Sequence, residues 1–280
     1  MEIYVDSANI DEIRKAKEYG VCDGVTTNPS LIKKAVAGMK GEGKQIDMEG
    51  YIRLICEAAG KGNPVSLEVV SLKAEDMVKE AELLYGKFNQ VASNVVIKIP
   101  VSTSRSDGEE HYEGLKAITA LSRKKIPVNA TLIMTPEQAL LAGKAGAKYV
   151  SPFAGRIDDF IRKNLGEAFG KSDYFPAGGK HKDGKTAEDK GIVSGVELVK
   201  KTKAIFDKYG IKSKIIAASL RNARQVREVA EIGADIATVP FEVLEDMIKH
   251  PKTFEGIVKF SEDVVPEYKE IFSAGESASR

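Results

Sequence analysis

Eight short runs rich in β-branched residues recur along this 280-residue chain, and stretches with helical spacing lie between them. Such alternation is typical of strand–helix units built around a parallel sheet. Because eight units can close the sheet on itself, the pattern predicts an α/β fold, a single (β/α)8 barrel. The predicted strands are EIYVD (2–6), GVTTN (24–28), VSLEVV (65–70), NVVIKI (94–99), VNATLI (128–133), YVSPF (149–153), KIIAAS (214–219) and DIATVP (235–240).

Helical spacing fills most of the connections between these runs. Three segments interrupt the alternation: a long second connection (33–47), a long loop (164–193) and a terminal extension (253–280), for which we expect a helix and a frayed tail. No linker marks a boundary, so residues 1–280 are predicted to form one barrel domain. The predicted helices span 9–19, 48–60, 73–87, 113–124, 136–145, 194–208, 222–232 and 242–249.

The 164–193 loop follows the sixth predicted strand. In a barrel it would rise from the end where active sites form. There it is expected to act either as a lid over the site or as an ordinary solvated surface loop, and the sequence does not choose between these alternatives.

A lysine interrupts the fourth predicted strand, which otherwise reads as a buried run. Successive strand residues face opposite sides, and the outer face of a βα barrel is apolar because helices cover it. Val95, Ile97 and Ile99 therefore face outward, and Lys98 points into the barrel. A buried ammonium is costly unless it is paired or loses its charge, so this position suggests a function for Lys98.

The same test of parity places other polar side chains inside the barrel, each near the carboxyl end of its strand. Barrel enzymes assemble their active sites at this end, so the residues predict a site around Lys98. For each residue alone, the alternative is a polar layer of the barrel or a cap of the following helix. The polar residues predicted beside Lys98 are Asp6, Asn28, Ser66, Glu68, Asn129, Thr131 and Ser151.

Two arginines lie just past the ends of the sixth and seventh predicted strands. Arg156 stands in SPFAGRIDD and Arg221 in AASLRNAR. This is the region where barrels commonly bind phosphate, and guanidinium groups match phosphate oxygens. For Arg156 the alternative is a surface ion pair with Asp158 or Asp159.

Charge and cysteine content exclude several classes of protein. The chain has 42 Lys and Arg against 41 Asp and Glu, so it lacks the net field that would attract nucleic acid or an anionic membrane. Cys22 and Cys56 are too few for a disulfide framework and are expected to be thiols in a reducing compartment. His111, His181 and His250 lack ligand spacing, so no metal is predicted. The N-terminus lacks an apolar signal segment, and a cytoplasmic protein is expected.

A lysine amine inside a barrel suits one kind of covalent chemistry. Burial disfavours the ammonium form, and the free amine attacks a carbonyl to form a Schiff base. Nearby carboxylates would then carry protons, as in class I aldolases, and no cofactor is expected.

Six segments resemble the transaldolase family, in the same order and over nearly the whole chain. The resemblance implies a cofactor-free (β/α)8 barrel that moves a dihydroxyacetone unit from a ketose phosphate to an aldose phosphate. The six segments are VTTNPSLI (25–32), VVIKIP (95–100), NATLIMT (129–135), YVSPFAGRIDD (149–159), AASLRN (217–222) and GADIATVPFEVLEDM (233–247).

The resemblance also implies catalytic roles. Lys98 would form the Schiff base with C2 of fructose 6-phosphate or sedoheptulose 7-phosphate, and Asp6 would take the proton of the C4 hydroxyl. Glu68 and Thr131 would position a water that relays protons during carbinolamine formation and dehydration.

Substrate-binding roles follow from the same resemblance. Asn28, Asn129 and Ser151 would hold the hydroxyls of the three-carbon enamine, and Arg156 and Arg221 would hold the phosphate.

A neighbouring subfamily, fructose 6-phosphate aldolase, shares the barrel and the lysine but releases dihydroxyacetone. It typically has glutamine at the position of Glu68 and tyrosine at that of Phe153. Because a phenyl ring cannot protonate the enamine, the residues here favour transfer over release.

Two further alternatives remain at the level of sequence. A relative acting on another anionic ketose would keep most of these residues, and the lysines and His181 of GGKHKDGK add positive charge. A non-catalytic sugar-phosphate sensor would keep the arginines without turnover. We also expect a homo-oligomer, with the C-terminal helix packing on a neighbouring barrel.

Overall fold

Eight parallel strands close into a barrel, which confirms the predicted fold class. The computed structural model describes residues 1–41, 43, 47–182 and 184–273. The strands are β1 (Glu2–Asp6), β2 (Gly24–Thr26), β3 (Val65–Glu68), β4 (Val95–Pro100), β5 (Val128–Ile133), β6 (Tyr149–Pro152), β7 (His181–Lys182), β8 (Lys185–Thr186), β9 (Lys214–Ala217) and β10 (Ile236–Val239). Around the barrel their order is β1-β10-β9-β6-β5-β4-β3-β2, while β7 and β8 form a separate antiparallel pair.

Helices connect and cover the barrel strands, as the alternation predicts. Their apolar faces pack on the outward-facing aliphatic residues of the strands, and these residues are therefore buried beneath the helices. The helices are α1 (Ile10–Glu18), α2 (Pro29–Gly41), α3 (Met48–Ala59), α4 (Ala74–Ala92), α5 (Glu113–Arg123), α6 (Pro136–Lys144), α7 (Ala154–Leu165), α8 (Gly195–Tyr209), α9 (Ala223–Glu231), α10 (Phe241–Met247), α11 (Pro251–Glu262) and α12 (Pro266–Ser273).

Side-chain caps fix where several helices begin. Before α6, Thr135 accepts the N–H of Gln138, and the Gln138 side chain accepts the N–H of Thr135, with Pro136 at the first helical position. Ser194 and Asn222 cap α8 and α9 by accepting an N–H three residues on. These caps satisfy N–H groups that have no partner within the helix, and they set the loops that surround the site.

The barrel interior divides into an apolar layer and a polar layer. Toward the amino ends of the strands, five inward-facing side chains form one buried cluster: Tyr4, Val96, Tyr149, Ile216 and Ile236. Gly24 faces this cluster from β2, and a Cβ at Gly24 would lie 2.7 Å from the ring of Tyr4. The apolar layer therefore closes one end of the barrel, and the inward-facing positions above it are left to the polar residues.

Two helices lie where the sequence gave no helical prediction. Residues Pro29–Gly41 form α2, which occupies most of the predicted long connection 33–47, whose residues 42 and 44–46 lie outside the described part. Residues Ala154–Leu165 form α7 directly after β6. Gly155 near its start is a weak helix former. A Cβ at this position would lie 2.1 Å from the Ser219 carbonyl oxygen, so the close approach of the two backbones requires glycine.

The chain divides into two compact units, Met1–Val243 and Leu244–Arg280. In the second unit, two helices, α11 and α12, stand where one terminal helix was predicted. Several of their apolar side chains, including Phe254, Phe260 and Ile271, are exposed. Most of the predicted frayed tail falls on residues 274–280, outside the described residues, and self-association stays a prediction. Among the described helices, none is long and apolar enough to cross a bilayer.

Candidate active site

Lys98 lies inside the barrel, as parity predicts. It is 5% exposed, and in the sheet register it stands between Glu68 of β3 and Asn129 of β5. Its Nζ donates to the Thr27 carbonyl oxygen at 3.1 Å and lies 3.5 Å from Glu68 Oε2. The amine therefore sits in a dry but polar setting, with a carboxylate close enough to exchange a proton through a small movement or one water.

Two carboxylates, Asp6 and Glu68, face this amine from β1 and β3. Burial raises the pKa of both, and the positive charge of Lys98 opposes that rise. A hydrogen bond from Thr26 and the charge of Lys171 also lower the pKa of Asp6, whereas the like charge of Glu242 raises it. The like charge of Asp6 in turn raises the pKa of Glu68. Acids with raised pKa values, held beside an amine, are suited to proton transfer.

Asn129 is completely buried and is held by hydroxyls on both sides. Its Nδ2 donates to Ser66 Oγ at 3.2 Å, and its Oδ1 accepts from Ser151 Oγ at 2.7 Å. Because a serine hydroxyl can both donate and accept, the two serines satisfy the buried amide on both sides. These hydrogen bonds join the side chains of β3, β5 and β6, and Asn129 stands beside Lys98 in the sheet register.

Thr131 is 1% exposed, and its Oγ1 has no hydrogen-bond partner in the part of the chain that the structure describes. A buried hydroxyl without a partner is unusual, because leaving it unpaired costs about 1–3 kcal/mol. Thr131 lies one inward-facing position beyond Asn129 on β5, on the strand next to Lys98. A ligand or a water that bonds to this hydroxyl would remove the cost.

Asn28 has a structural role in this state. Its Oδ1 accepts the N–H of Leu31 at 3.0 Å, so it caps the first turn of α2. The capping alternative raised for the inward polar residues therefore holds for this oxygen of Asn28. The residue nevertheless follows β2 at the carboxyl end of the barrel, where the site is predicted.

Sequence reasoning missed two threonines beneath Asp6. Thr26 Oγ1 lies 2.7 Å from Asp6 Oδ1, and it also lies 2.5 Å from Thr238 Oγ1 on β10. The signal was present, because Thr26 has the same parity as Asn28 two residues later. Thr26 thus bonds the Asp6 carboxylate, and Thr238 bonds the Thr26 hydroxyl.

Of the two predicted arginines, Arg156 lies in the first turn of α7, which follows β6, and Arg221 lies on the loop that follows β9. Arg156 is exposed, and its guanidinium lies 5.1 Å from the ring centroid of Phe153, which fixes it over the mouth of the barrel. Arg221 is more buried, and its Nη2 donates to Asp159 Oδ2 at 2.7 Å. Asp159, considered as a partner for Arg156, therefore pairs with Arg221.

The connection predicted as loop 164–193 reaches the carboxyl end of the barrel. The Asn222 amide donates to the Ser172 carbonyl oxygen at 3.2 Å, which ties the connection to the start of α9. Lys171 lines the same cavity as Asp6, with a volume of about 630 Å³. The connection thus contributes to the surroundings of the site, and its role as a lid or as a surface loop stays a prediction.

Taken together, the residues offer a buried amine, two acids that can carry protons, hydroxyl and amide groups for polyol recognition, and two guanidinium groups for an anion. Nine of the ten side chains predicted for the site come from barrel strands or the loops that follow them, and the tenth, Arg156, lies in the first turn of α7. The geometry suits carbonyl chemistry through a covalent lysine adduct.

Comparison with known proteins points to one family. The family described as Transaldolase/Fructose-6-phosphate aldolase matches residues 3–277. Curated relatives named "Probable transaldolase" include proteins from Thermodesulfovibrio yellowstonii (42% identical, covering 94% of this chain and 97% of the relative) and Thermoplasma acidophilum (42%, 94% and 95%). Another, from Caldicellulosiruptor saccharolyticus, is 43% identical and covers 94% of this chain and 96% of its own length.

Proposed function

Because the chain belongs to the transaldolase/fructose-6-phosphate aldolase family, we propose that it transfers a dihydroxyacetone unit between sugar phosphates through a Schiff base on Lys98. One observation carries the proposal above all. The Lys98 amine is buried, and its Nζ lies 3.5 Å from a carboxylate oxygen of Glu68. The donor would be fructose 6-phosphate or sedoheptulose 7-phosphate.

Covalent attachment begins when the Lys98 amine, having given a proton to Glu68, attacks C2 of the ketose. The carbonyl oxygen takes up a proton to give a carbinolamine, and loss of water leaves an iminium. Glu68 has a pKa raised by burial, so it can give this proton back, and a water held by Thr131 would relay it. The unpaired Thr131 hydroxyl supports its place in this relay.

Carbon–carbon cleavage follows on the iminium. Asp6 takes the proton of the C4 hydroxyl, the C4–O bond becomes the carbonyl of the departing aldose, and the electrons of the C3–C4 bond move to the iminium nitrogen. The product on Lys98 is a three-carbon enamine. An acceptor aldehyde then reverses these steps, and hydrolysis of the new iminium frees the lysine.

Recognition of the substrate would use the remaining polar groups. Asn28, Asn129 and Ser151 bond the hydroxyls of the three-carbon unit, and the hydrogen bonds that hold the Asn129 amide beside Lys98 support this role. Arg156, from the first turn of α7, and Arg221, from the loop after β9, bind the phosphate with one guanidinium group each.

Transfer rather than release is supported by Phe153. It lies on the loop after β6, next to the arginine that stacks on it, and its ring offers no proton to the enamine. The intermediate is therefore retained until an aldehyde arrives. An aldolase of the same family would instead protonate and hydrolyse it.

Trapping tests the covalent step. The protein is incubated with fructose 6-phosphate and borohydride, and peptide mass spectrometry should locate a reduced three-carbon adduct on Lys98. The Lys98→Met variant, with its circular dichroism unchanged, should carry no adduct. An intact wild-type protein that yields none would refute the proposal.

A coupled assay separates transfer from the two alternatives. With fructose 6-phosphate as donor, glyceraldehyde 3-phosphate should form beyond one equivalent per enzyme only when erythrose 4-phosphate is also present. Steady release of dihydroxyacetone without an acceptor would indicate the aldolase. Tight sugar-phosphate binding by both wild type and Lys98→Ala, with no turnover by either, would indicate a sensor.

A further inference from the structure

Resting on the proposed function, we propose that Gln225 and Asp158 are positioning residues of the phosphate subsite. Neither is expected to touch the substrate. They hold the main chain of Arg221 against the helix that carries Arg156, so that both guanidinium groups meet one phosphate.

Gln225 forms the first link, between the Arg221 loop and α7. It lies on α9, is 2% exposed, and its Oε1 accepts the N–H of Arg221 at 2.8 Å. Its Nε2 donates to Asp158 Oδ2 at 2.7 Å. Because Arg221 N–H can only donate and a carboxylate only accepts, the amide has one orientation that satisfies both contacts.

Asp158 forms the second link, between α7 and α8. It is also 2% exposed, and its Oδ1 accepts the N–H of Gly195, the first residue of α8, at 2.7 Å. A Cβ at Gly195 would lie 2.0 Å from the Ala154 carbonyl oxygen, so the starts of α7 and α8 are in direct contact. Asp158 thus joins three segments through two oxygens.

The turn that carries Arg156 is held from the other side by the Arg221 loop itself. Gly155 donates its N–H to the Ser219 carbonyl oxygen at 3.1 Å. Ser219 has φ of 60°, a left-handed conformation that is costly for a residue with a side chain. Such a loop needs outside support to keep its shape, and the hydrogen bond from Arg221 to Gln225 provides it.

The donors and acceptors of this network predict which substitutions break its hydrogen bonds. Asp158→Asn alone sets two amide NH2 groups against each other, and turning Gln225 over removes the acceptor from Arg221. Gln225→Glu alone sets two carboxylates against each other. The double variant Asp158→Asn/Gln225→Glu restores every contact. Only the bond between positions 158 and 225 is reversed, because the new amide donates to the new carboxylate, while the N–H groups of Gly195 and Arg221 donate as before.

The experiment measures phosphate recognition in these three variants and wild type. Calorimetry gives Kd for glycerol 3-phosphate and, as a ligand without phosphate, glycerol. Kinetics gives KM for the acceptors glyceraldehyde 3-phosphate and glyceraldehyde, a value that does not depend on the folded fraction. Arg227→Gln, an exposed change on the same helix, is the control, because Arg227 contacts only Glu231 among the ion pairs of α9.

We expect each single variant to raise Kd and KM for the phosphorylated compounds roughly fivefold to tenfold, the size of one lost hydrogen bond. Values for glyceraldehyde, and kcat, should stay within about twofold of wild type. The double variant should recover most of the loss, and Arg227→Gln should match wild type.

The outcomes separate this inference from the proposed function. Single variants that bind glycerol 3-phosphate like wild type, or a double variant no better than the singles, overturn the inference. Wild type that binds the phosphate with the predicted pattern yet transfers nothing upholds the inference and overturns the function. Wild type that prefers neither phosphorylated compound overturns both.

Discussion

The two sides of the barrel mouth differ in how their buried polar side chains are bonded. Around Lys98, on β1 to β5, acids have pKa values raised by burial and a threonine hydroxyl lacks a partner. Around Arg221, Asp158 of α7 and Gln225 of α9 engage their polar side-chain atoms in short hydrogen bonds, while Arg221 Nε and Asp159 Oδ1 lack a hydrogen-bond partner among the described residues. The comparison shows how one barrel separates tasks, because groups that exchange protons must be able to change partners, whereas groups that position a phosphate must not.

The largest expected effect lies on the Lys98 side. Lys98→Met removes the nucleophile without adding a charge, and we expect kcat/KM for transfer to fall by at least about 10⁴-fold, as losses of covalent nucleophiles do elsewhere. Binding of glycerol 3-phosphate should be unchanged, since the Arg221 side is intact. If the variant loses that binding as well, the two sides are not independent and the comparison fails.

Removal of one acid should have the next largest effect. Glu68→Gln and Asp6→Asn each remove a proton carrier, so a loss in kcat of roughly 10²- to 10³-fold is expected. Both changes are nearly isosteric, which keeps packing effects small. Single-turnover experiments should show slow Schiff-base formation for Glu68→Gln and slow cleavage for Asp6→Asn, and the reverse assignment would contradict the proposed roles.

The pH dependence follows from the same acids. Asp6 must be ionised to accept a proton, and burial raises its pKa. Activity should therefore fall as the pH falls through that raised value, and the acid limb of kcat/KM should lie above about 4, the ordinary carboxyl range. An acid limb at or below that range would show that Asp6 is not desolvated during the reaction.

A smaller effect is expected on the Arg221 side. Arg221→Lys keeps the charge but loses the planar fork that pairs with Asp159, so KM for phosphorylated substrates should rise about tenfold while kcat changes little. Glyceraldehyde serves as the matched acceptor without phosphate. An equal rise in KM for glyceraldehyde would place Arg221 outside the phosphate subsite.

The sequence predicted the Lys98 side better than the Arg221 side. Period-two alternation decides which way a strand residue points, so Lys98, Glu68 and Asn129 could be placed inside the barrel without coordinates. The same rule would have found Thr26, which shares its parity with Asn28. Helices cover the outer face of each strand, so a polar strand residue had only the barrel interior left to face.

Alternation says nothing about partners outside the strands, which is why the Arg221 side was only partly predicted. Asp158 and Gln225 are hydrogen-bonded although 67 residues separate them, and in the sequence both are polar residues of a kind that usually lies at the surface. Asp159 was considered as a partner for Arg156 because the two are close in sequence. Which arginine it pairs with depends on how the loop after β9 approaches α7, a tertiary contact that no local pattern encodes.

The last prediction concerns the pH dependence of protein stability on the Arg221 side, where we expect the smallest effect on turnover. Burial raises the pKa of Asp158 to about 7, and the hydrogen bond from Gly195 and the charge of Arg162 only partly oppose this. The folded protein therefore holds this proton more tightly than the unfolded chain, so the stability contributed by Asp158 is greatest at low pH. It declines as the pH rises from about 4 to about 7 and is constant above that.

Chemical unfolding at pH 5 and pH 8 measures this decline. The free energy of unfolding of wild type should fall between the two values by about 2 kcal/mol more than that of Asp158→Asn, which cannot titrate. Arg227→Gln should follow wild type. Equal pH dependence in wild type and Asp158→Asn would mean that the carboxylate stays fully ionised, because its two hydrogen bonds outweigh burial, and the Arg221 side would then differ from the Lys98 side even more sharply.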